Sequence, residues 1–275
     1  MTNTVKRSIF GVLFIGMMMA GLLLNRYTFG ALMLFVMIGM IVEFLKMTVG
    51  TKFLLCRVLA IITGITMFVT TFLVASYGFP GKYIAITLLP MSVLMTASLY
   101  SHDRGDFRDF SHVLASLIYI AMPLALSNLV VFRGGEYSGQ LMFGFFIIIW
   151  ASDVGAYIFG ITLGQKYGKK LFPQISPKKS WIGFWGGIFS SILAALILSI
   201  TNFLPFIIVH CLVLGAIMGV AGVYGDLFES MWKRSSNVKD SGGIIPGHGG
   251  LLDRFDSSLF AIPVGVLYLI LLNLV

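Results

Sequence analysis

Long apolar runs separated by short polar breaks follow one another along the whole chain. The hydrocarbon core of a bilayer is about 30 Å thick, so a helix that crosses it needs roughly 20 apolar residues. None of the runs shows the two-residue alternation of a membrane β-barrel strand. The pattern therefore predicts an all-α, polytopic integral membrane protein with about nine transmembrane helices, near 8–24, 29–45, 54–76, 83–100, 111–132, 139–163, 181–201, 205–225 and 257–274.

The composition agrees with this class, because 58% of the 275 residues are hydrophobic and only 11% are charged. That is far too apolar for an ordinary soluble domain. The first run follows Lys6 and Arg7, as in a signal peptide, but no small-residue cleavage site follows it. We therefore expect a retained helix. The two cysteines, Cys56 and Cys211, both lie in apolar runs and predict neither a disulfide framework nor a zinc site.

Lysine and arginine are distributed unevenly between the two predicted membrane faces. With the N-terminus in the cytoplasm, the outer segments carry only Arg26, Lys82 and Arg133 of the 19 cations. The positive-inside rule then predicts a cell-membrane protein with a cytoplasmic N-terminus and with residues 226–256 on the cytoplasmic side. The net charge of +8 lies mostly on this rim, facing anionic lipid heads. No basic segment interleaved with aromatic residues predicts nucleic-acid binding.

Charge is concentrated between residues 226 and 256, in a chain with only 11 acidic side chains. Two pairs of acids there have helical i, i+3 spacing, Asp226 with Glu229 and Asp253 with Asp256. Together they would supply the hard oxygen ligands that Mg²⁺ prefers, and two such ions can clamp a phosphoryl displacement. A glycine-rich turn at 242–250 separates the pairs and would let backbone approach a phosphate. The alternative is a cytoplasmic loop with solvated ion pairs.

Two further segments carry candidate chemistry. Asp153 lies inside an apolar run, where a carboxylate is a functional candidate; the alternative is a packing acid paired with a neighbouring cation. The loop at 164–181 holds five lysines. We expect Ser176 to cap the next helix, with Pro177 in its first turn, so that Lys178 and Lys179 face an anion site. The alternative is a cytoplasmic loop whose lysines serve only the positive-inside rule, and we prefer it for Lys166, Lys169 and Lys170.

The remaining acids predict local ion pairs. Asp106 and Asp109 have metal-compatible spacing, but exposed mixed charges beside Arg104 and Arg108 are the favoured interpretation. Glu43 lies three residues before Lys46, and we expect the two side chains to pair.

The charged segments resemble a known family. From Ser230 to Asp256 the chain reads S-x-x-K-R-x(4)-K-D-x-G-x-x-I-P-x-H-G-G-x-x-D-R-F-D, which is similar to the signature of the phosphatidate cytidylyltransferases, also called CDP-diacylglycerol synthases. The motifs around Asp153 and Lys178 resemble the same family. The match covers 139–275, whereas the first half matches only in hydropathy. We therefore expect N-terminal transmembrane helices over 1–138 and a catalytic region over 139–275.

The resemblance implies Mg²⁺-dependent transfer of a cytidylyl group from CTP to phosphatidic acid, giving CDP-diacylglycerol and pyrophosphate in phospholipid biosynthesis. It implies a site for Mg²⁺ that holds two divalent or mixed cations, with Asp226, Asp253, Asp256 and Asp153 as metal ligands. It implies catalytic roles for Asp226, Lys239, Asp240, His248, Asp253 and Arg254. It implies substrate contacts from Ser176, Lys178, Lys179, Lys233, Arg234, Gly249 and Gly250.

Three positions depart from the family pattern, namely Ser180, Ile182 and Trp232. Two other functions are weighed against cytidylyl transfer. A CTP-dependent polyprenol or phytol kinase would pass on the γ-phosphoryl group instead. A transporter of an anionic solute would line a path near the bilayer midplane with its charges. Small residues on several runs and the precedent of the family favour a homodimer.

Overall fold

The computed structural model describes residues 3–101, 107–133, 135–243 and 249–275. Helices account for most of these residues, and two short antiparallel hairpins connect some of them. The helices are α1 (Asn3–Leu23), α2 (Arg26–Thr48), α3 (Leu54–Tyr77), α4 (Leu88–Leu99, continuing a 3₁₀ segment Gly81–Thr87), α5 (Phe107–Ser116), α6 (Met122–Val131), α7 (Gly139–Phe159), α8 (Gln165–Tyr167), α9 (Trp181–Ile200), α10 (Ile208–Ser235) and α11 (Leu252–Leu271). The strands are β1 (Phe132–Arg133), β2 (Glu136–Tyr137), β3 (Lys170–Phe172) and β4 (Ser176–Ser180). Single π-helical turns join α5 to α6, at Leu117–Ala121, and α7 to α8, at Gly160–Gly164.

Eight helical segments among the described residues are long and apolar enough to cross a membrane. They are Arg26–Thr48, Leu54–Tyr77, Gly81–Leu99, Asp109–Val131, Gly139–Tyr167, Trp181–Ile200, Ile208–Ser235 and Leu252–Leu271. Helix α1 adds a shorter apolar stretch, Gly11–Leu23. Each of the nine predicted runs thus coincides with a helix, and the prediction of a polytopic all-α membrane protein is confirmed.

Helix α10 extends ten residues beyond its predicted end at residue 225. Its 28 residues give a length of about 42 Å at 1.5 Å per residue, which exceeds the hydrocarbon thickness of about 30 Å. The polar residues after Gly225 continue the helix because hydropathy marks the membrane boundary and not the end of helical hydrogen bonding. Asp226 and Glu229 therefore lie on an ordered helix.

The chain forms two compact units, and both are discontinuous in sequence. The first comprises residues 1–139 and 236–254, and the second comprises 140–235 and 255–275. These units are defined by contacts, whereas the division predicted at residue 138 separates a catalytic part from a non-catalytic part. That functional division stays a prediction.

In the first unit, α3 packs against α2, α4 and α6. Its core contains the fully buried rings of Phe29, Phe44 and Phe68. A polar link crosses this core, because the Asn128 side chain on α6 donates to the Phe68 carbonyl at 3.2 Å and to Thr71 Oγ1 at 2.9 Å on α3. Buried polar groups require such partners, so this link sets how α3 and α6 pack.

In the second unit, α9 and α10 form the most extensive helix pair. The side chains of Phe184 and Ile188 from α9 and of Val223 and Leu227 from α10 meet in one buried cluster. Leu171 from β3 joins the same cluster and ties the hairpin to these helices. The hairpin is therefore held against the end of α10 that carries the charged residues.

The prediction that Ser176 caps α9, with Pro177 in its first turn, was wrong. Residues 176–180 form β4, whose register with β3 places Phe172 opposite Ser176 and Lys170 opposite Ser180. Ser180 has an extended backbone and caps α9, and its side-chain oxygen accepts from the Gly183 N–H at 3.1 Å. Strand pairing along β4 thus displaces the helix start by four residues, because a chain paired with a strand cannot also be helical.

Candidate active site

The second unit brings a lysine of the hairpin to an acid of α10. Lys179 Nζ lies 2.7 Å from Asp226 Oδ2, with side-chain exposures of 24% and 34%. Lys179 is the last residue before the cap of α9, so hairpin pairing and helix capping together set its position. The Ser230 hydroxyl, one turn after Asp226, lies 3.3 Å from its Oδ1 and donates to it. Two predicted site residues that lie 47 positions apart are thus in contact.

Helices α10 and α11 approach each other closely beside Asp226. A Cβ atom added to Gly225 would lie 2.6 Å from the carbonyl oxygen of Asp256, so the absence of a side chain permits this approach. As a result, Asp256 interacts electrostatically with Asp226 and with Glu229 on α10, and also with Asp153 on α7. The predicted carboxylates Asp153, Asp226 and Asp256 therefore lie within electrostatic range of one another in this unit.

Ser257 links two members of this carboxylate group. Its hydroxyl donates to Asp153 Oδ1 at 3.0 Å, and its backbone N–H donates to Asp256 Oδ1 at 2.7 Å. The side chain is buried at 2% exposure. Sequence reasoning missed Ser257, because a serine beside an acid carries no signal until α7 and α11 are known to meet.

A second ion pair lies one turn further along α10. Lys233 Nζ lies 2.5 Å from Glu229 Oε2, and the Glu229 side chain is fully buried while that of Lys233 is 12% exposed. Lys233 and Arg234 occupy the last turn, where positive charge also suits the helix dipole. Lys233 therefore neutralises a buried acid, whereas Arg234 is exposed.

The first unit holds the predicted residues between 239 and 254. Asp253 lies in the first turn of α11, and its Oδ2 accepts from the backbone N–H groups of Ser241 at 3.1 Å and of Gly250 at 2.8 Å. Gly249 has φ +83°, a left-handed conformation that favours glycine. Lys239, Asp240 and Arg254 are exposed, and His248 lies outside the described residues.

The other lysines of the 164–181 segment lie on the surface of the second unit. Lys178 is exposed, and its carbonyl accepts from the Gln165 side chain at 2.6 Å. Lys170 Nζ donates to Gln165 Oε1 at 2.9 Å. Ser176 is half-buried on β4. Lys166 and Lys169 are also exposed. Lys179 thus differs from its neighbours in being held by a carboxylate.

Two acids of the first unit contact residues that the sequence analysis did not name. Asp109 pairs with Lys52 at 2.7 Å, and its predicted neighbours Arg104 and Asp106 lie outside the described residues. Glu43 is buried and accepts from the Leu252 N–H at 2.9 Å, so its predicted pairing with Lys46 was wrong. The correction follows from tertiary packing, because the residue that meets Glu43 is 209 positions away.

The donor set can be compared with the requirements of Mg²⁺. Among the described residues, no three His, Cys, Asp or Glu side chains are close enough to form a ready-made metal-binding group. The carboxylates of Asp153, Asp226 and Asp256 are nevertheless hard oxygen donors that repel one another within one unit. Divalent cations bound through oxygen relieve such repulsion. The residues fit Mg²⁺ by donor type.

Fold and charges together define a multi-pass membrane protein with carboxylates on its helices and a lysine of a hairpin strand paired with one of them. Residues 5–272 match the model of the cytidylyltransferase family, and the chain belongs to that family. The family assignment made from the sequence motifs is confirmed.

The chain is also similar to curated bacterial proteins named phosphatidate cytidylyltransferase. It is 39% identical over 178 residues to one from Staphylococcus epidermidis, covering 64% of this chain and 66% of the relative. It is 37% identical over 182 residues to one from Bacillus subtilis, covering 65% of each. A Staphylococcus aureus relative is 38% identical over 181 residues, 65% of this chain and 66% of its own. The matched part therefore spans just under two thirds of these relatives.

Proposed function

We propose that the protein transfers the cytidylyl group of CTP to phosphatidate, producing CDP-diacylglycerol and pyrophosphate in phospholipid biosynthesis. The observation that carries the proposal is the Lys179–Asp226 ion pair, at 2.7 Å, in a unit where Asp153 and Asp256 lie within electrostatic range of Asp226. Membership of the cytidylyltransferase family supports the transferred group. The names of the similar bacterial proteins support the lipid acceptor.

The proposed reaction needs no side-chain nucleophile. A phosphate oxygen of phosphatidate attacks the α-phosphorus of CTP, and the bond from that phosphorus to the oxygen bridging to the β-phosphorus breaks. Pyrophosphate leaves with the electron pair of that bond. Because the attacking group is already an anion, catalysis depends on positioning and on neutralising the charge of two phosphate groups.

The residues divide into cation holders and phosphate binders. Asp153, Asp226 and Asp256 would hold Mg²⁺, and Asp253 stays a predicted ligand. When bound, Mg²⁺ supplies positive charge to triphosphate oxygens. Asp226 also orients the Lys179 ammonium, which would contact a phosphate. The other proposed contributors to substrate binding or catalysis are Ser176, Lys178, Lys233, Arg234, Lys239, Asp240, His248, Gly249, Gly250 and Arg254.

Labelled CTP tests the reaction directly. Purified protein is incubated with phosphatidate and with CTP labelled at either the α- or the γ-phosphorus, with Mg²⁺ or with EDTA. We expect α-label in the lipid product, γ-label in released pyrophosphate, no turnover in EDTA, and recovery when Mg²⁺ is returned. Transfer of γ-label to lipid would identify a kinase instead. Uptake of an anion into vesicles without turnover would identify a transporter.

A further inference from the structure

Helix α2 carries a buried carboxylate with no role in the proposed reaction so far. Glu43 is 4% exposed, and its Oε2 accepts from the backbone N–H of Leu252 at 2.9 Å. Burying a carboxylate in an apolar environment is strongly unfavourable unless hydrogen bonds compensate. The presence of Glu43 inside a membrane-spanning helix therefore points to a function for its contacts.

The contact of Glu43 is with the beginning of α11. Leu252 is the first residue of that helix, where backbone N–H groups lack partners within the helix. Glu43 supplies an acceptor for one of them from α2, in the same compact unit. The next residue in α11 is Asp253, so this hydrogen bond constrains the backbone that carries a proposed site residue.

Both ends of the glycine-rich segment also pack against the Glu43 carboxylate. An added Cβ would lie 2.4 Å from Glu43 Oε1 at Gly242 and 2.7 Å from Glu43 Oε2 at Gly250. A side chain at either position would force the carboxylate to shift, so glycine at both positions lets the backbone lie directly against it. The Glu43 carboxylate therefore lies between the two described ends of the segment.

The same two ends hold Asp253. Ser241 and Gly250 each donate a backbone N–H to its carboxylate, at 3.1 and 2.8 Å to Oδ2. Glu43 thus contacts Gly250, which is one of these donors, and Gly242, which follows the other. It also contacts Leu252, the residue before Asp253. Displacement of the Glu43 carboxylate would alter the position of Asp253 without removing any of its own atoms.

We propose that Glu43 is a positioning residue for the reaction: it holds the described residues 241–243 and 249–252 so that Asp253 keeps the orientation that turnover requires. This inference rests on the proposed cytidylyl transfer. It assigns Glu43 no contact with CTP or phosphatidate, and its effect passes through the Leu252 hydrogen bond and the packing of Gly242 and Gly250.

Three substitutions separate positioning from simple stability. Glu43→Leu removes the acceptor, Glu43→Asp shortens its reach by one methylene, and Glu43→Gln keeps a carbonyl oxygen that can accept from Leu252. Thr63→Val is the matched control, because Thr63 is fully buried in the same unit and donates to the Leu59 carbonyl within its own helix. Each protein is assayed for kcat and KM, for thermal unfolding, and for amide hydrogen exchange.

We expect Glu43→Leu and Glu43→Asp to lower kcat at least about tenfold, with a smaller change in KM for CTP, because misplacement of a site residue impairs turnover more than binding. Exchange should rise at the amides of Gly250 and Leu252 and stay unchanged in α3. Glu43→Gln should keep most of the parental kcat, and Thr63→Val should leave kcat and segment exchange unchanged. If Glu43→Leu does not fold, the Asp and Gln variants provide the same comparison.

Two results would overturn the proposal. One is parental kcat in Glu43→Asp together with unchanged exchange at Gly250 and Leu252. The other is a loss of kcat that follows the loss of thermal stability across all three Glu43 variants, with Glu43→Gln impaired as much as an equally destabilised variant. If the parental protein itself shows no cytidylyl transfer, the proposed function fails, whereas the exchange measurement still decides whether Glu43 holds the segment.

Discussion

At Asp226 a carboxylate of a membrane-spanning helix meets the ammonium group of Lys179, 2.7 Å away. Removing one partner of a partly buried ion pair leaves the other with an uncompensated charge. The Ser230 hydroxyl donates to the same carboxylate, and Asp256 lies within its electrostatic range. A change at this one residue therefore affects several groups of the candidate site.

We predict that Asp226→Asn lowers turnover at least about 100-fold, as expected when a preorganised electrostatic contact is lost. The matched control is Asp109→Asn, which breaks the more exposed Lys52–Asp109 pair in the other unit. Because exposed pairs contribute only about 0–1 kcal/mol, that variant should keep parental turnover. Initial rates with α-labelled CTP measure both. Normal turnover in a folded Asp226→Asn protein would contradict the assignment.

The two adjacent lysines of β4 provide a second comparison at the residue scale. Lys179 contacts Asp226, whereas Lys178 is exposed and makes its hydrogen bond through its backbone carbonyl. We predict that Lys179→Gln reduces kcat/KM about 100-fold and that Lys178→Gln reduces it about tenfold or less. Steady-state kinetics over a range of CTP concentrations measure the difference. Equal losses would show that the Asp226 contact does not distinguish the two residues.

At the scale of elements, a hairpin and three helices assemble the charged group. Strand β4 places Lys179 one residue before the Ser180 cap, and α10 carries Asp226 past the point where its apolar run ends. The close approach of α10 and α11 at Gly225 then brings Asp226 and Asp256 together. The site therefore depends on helix packing as much as on its charged side chains.

Two glycines of α10 test this dependence. An alanine Cβ at Gly225 would lie 2.6 Å from the Asp256 carbonyl oxygen, whereas at Gly222 its nearest neighbour would be Ser257 Cβ at 3.6 Å, an ordinary contact. We predict that Gly225→Ala lowers the melting temperature by several degrees and reduces turnover, because α10 and α11 must separate. Gly222→Ala should retain turnover and be stabilised by up to about 1 kcal/mol through its helix propensity. Thermal unfolding and rate assays on both variants check this.

At the scale of the whole molecule, the membrane orientation of the chain follows from its cations. We propose that the N-terminus and the hairpin at 170–180 face the cytoplasm, as the positive-inside distribution predicts. This arrangement would expose the proposed site to CTP. The homodimer favoured by the small residues stays a prediction.

Cysteine labelling tests the orientation. Lys82 and Lys169 are both exposed, and the distribution of cations places Lys82 outside and Lys169 inside. We predict that a membrane-impermeant maleimide labels Lys82→Cys in intact cells, and labels Lys169→Cys only after lysis. The native Cys56 and Cys211 are buried, so the parental protein is the background control. Labelling of Lys169→Cys in intact cells would reverse the orientation.

Much of the fold was predictable because membrane insertion depends on local hydropathy. Each predicted run coincides with a helix, from 29–45 within Arg26–Thr48 to 181–201 around Trp181–Ile200. The end of α10 was not predictable, since hydropathy falls at Gly225 while the helical hydrogen bonds continue to Ser235. The start of α9 was misplaced, since a serine and a proline suggest a cap at Ser176 and strand pairing decides otherwise.

The sequence by itself determined that this protein spans a membrane many times and belongs to the cytidylyltransferases, because length of apolar runs and spacing of motif residues are properties of the chain. Only the tertiary structure decided that Lys179 pairs with Asp226, that Ser257 joins Asp153 to Asp256, and that Glu43 meets Leu252. These partners lie up to 209 positions apart. Their pairing depends on where helices cross, and helix crossing is set by side-chain packing that no local pattern records.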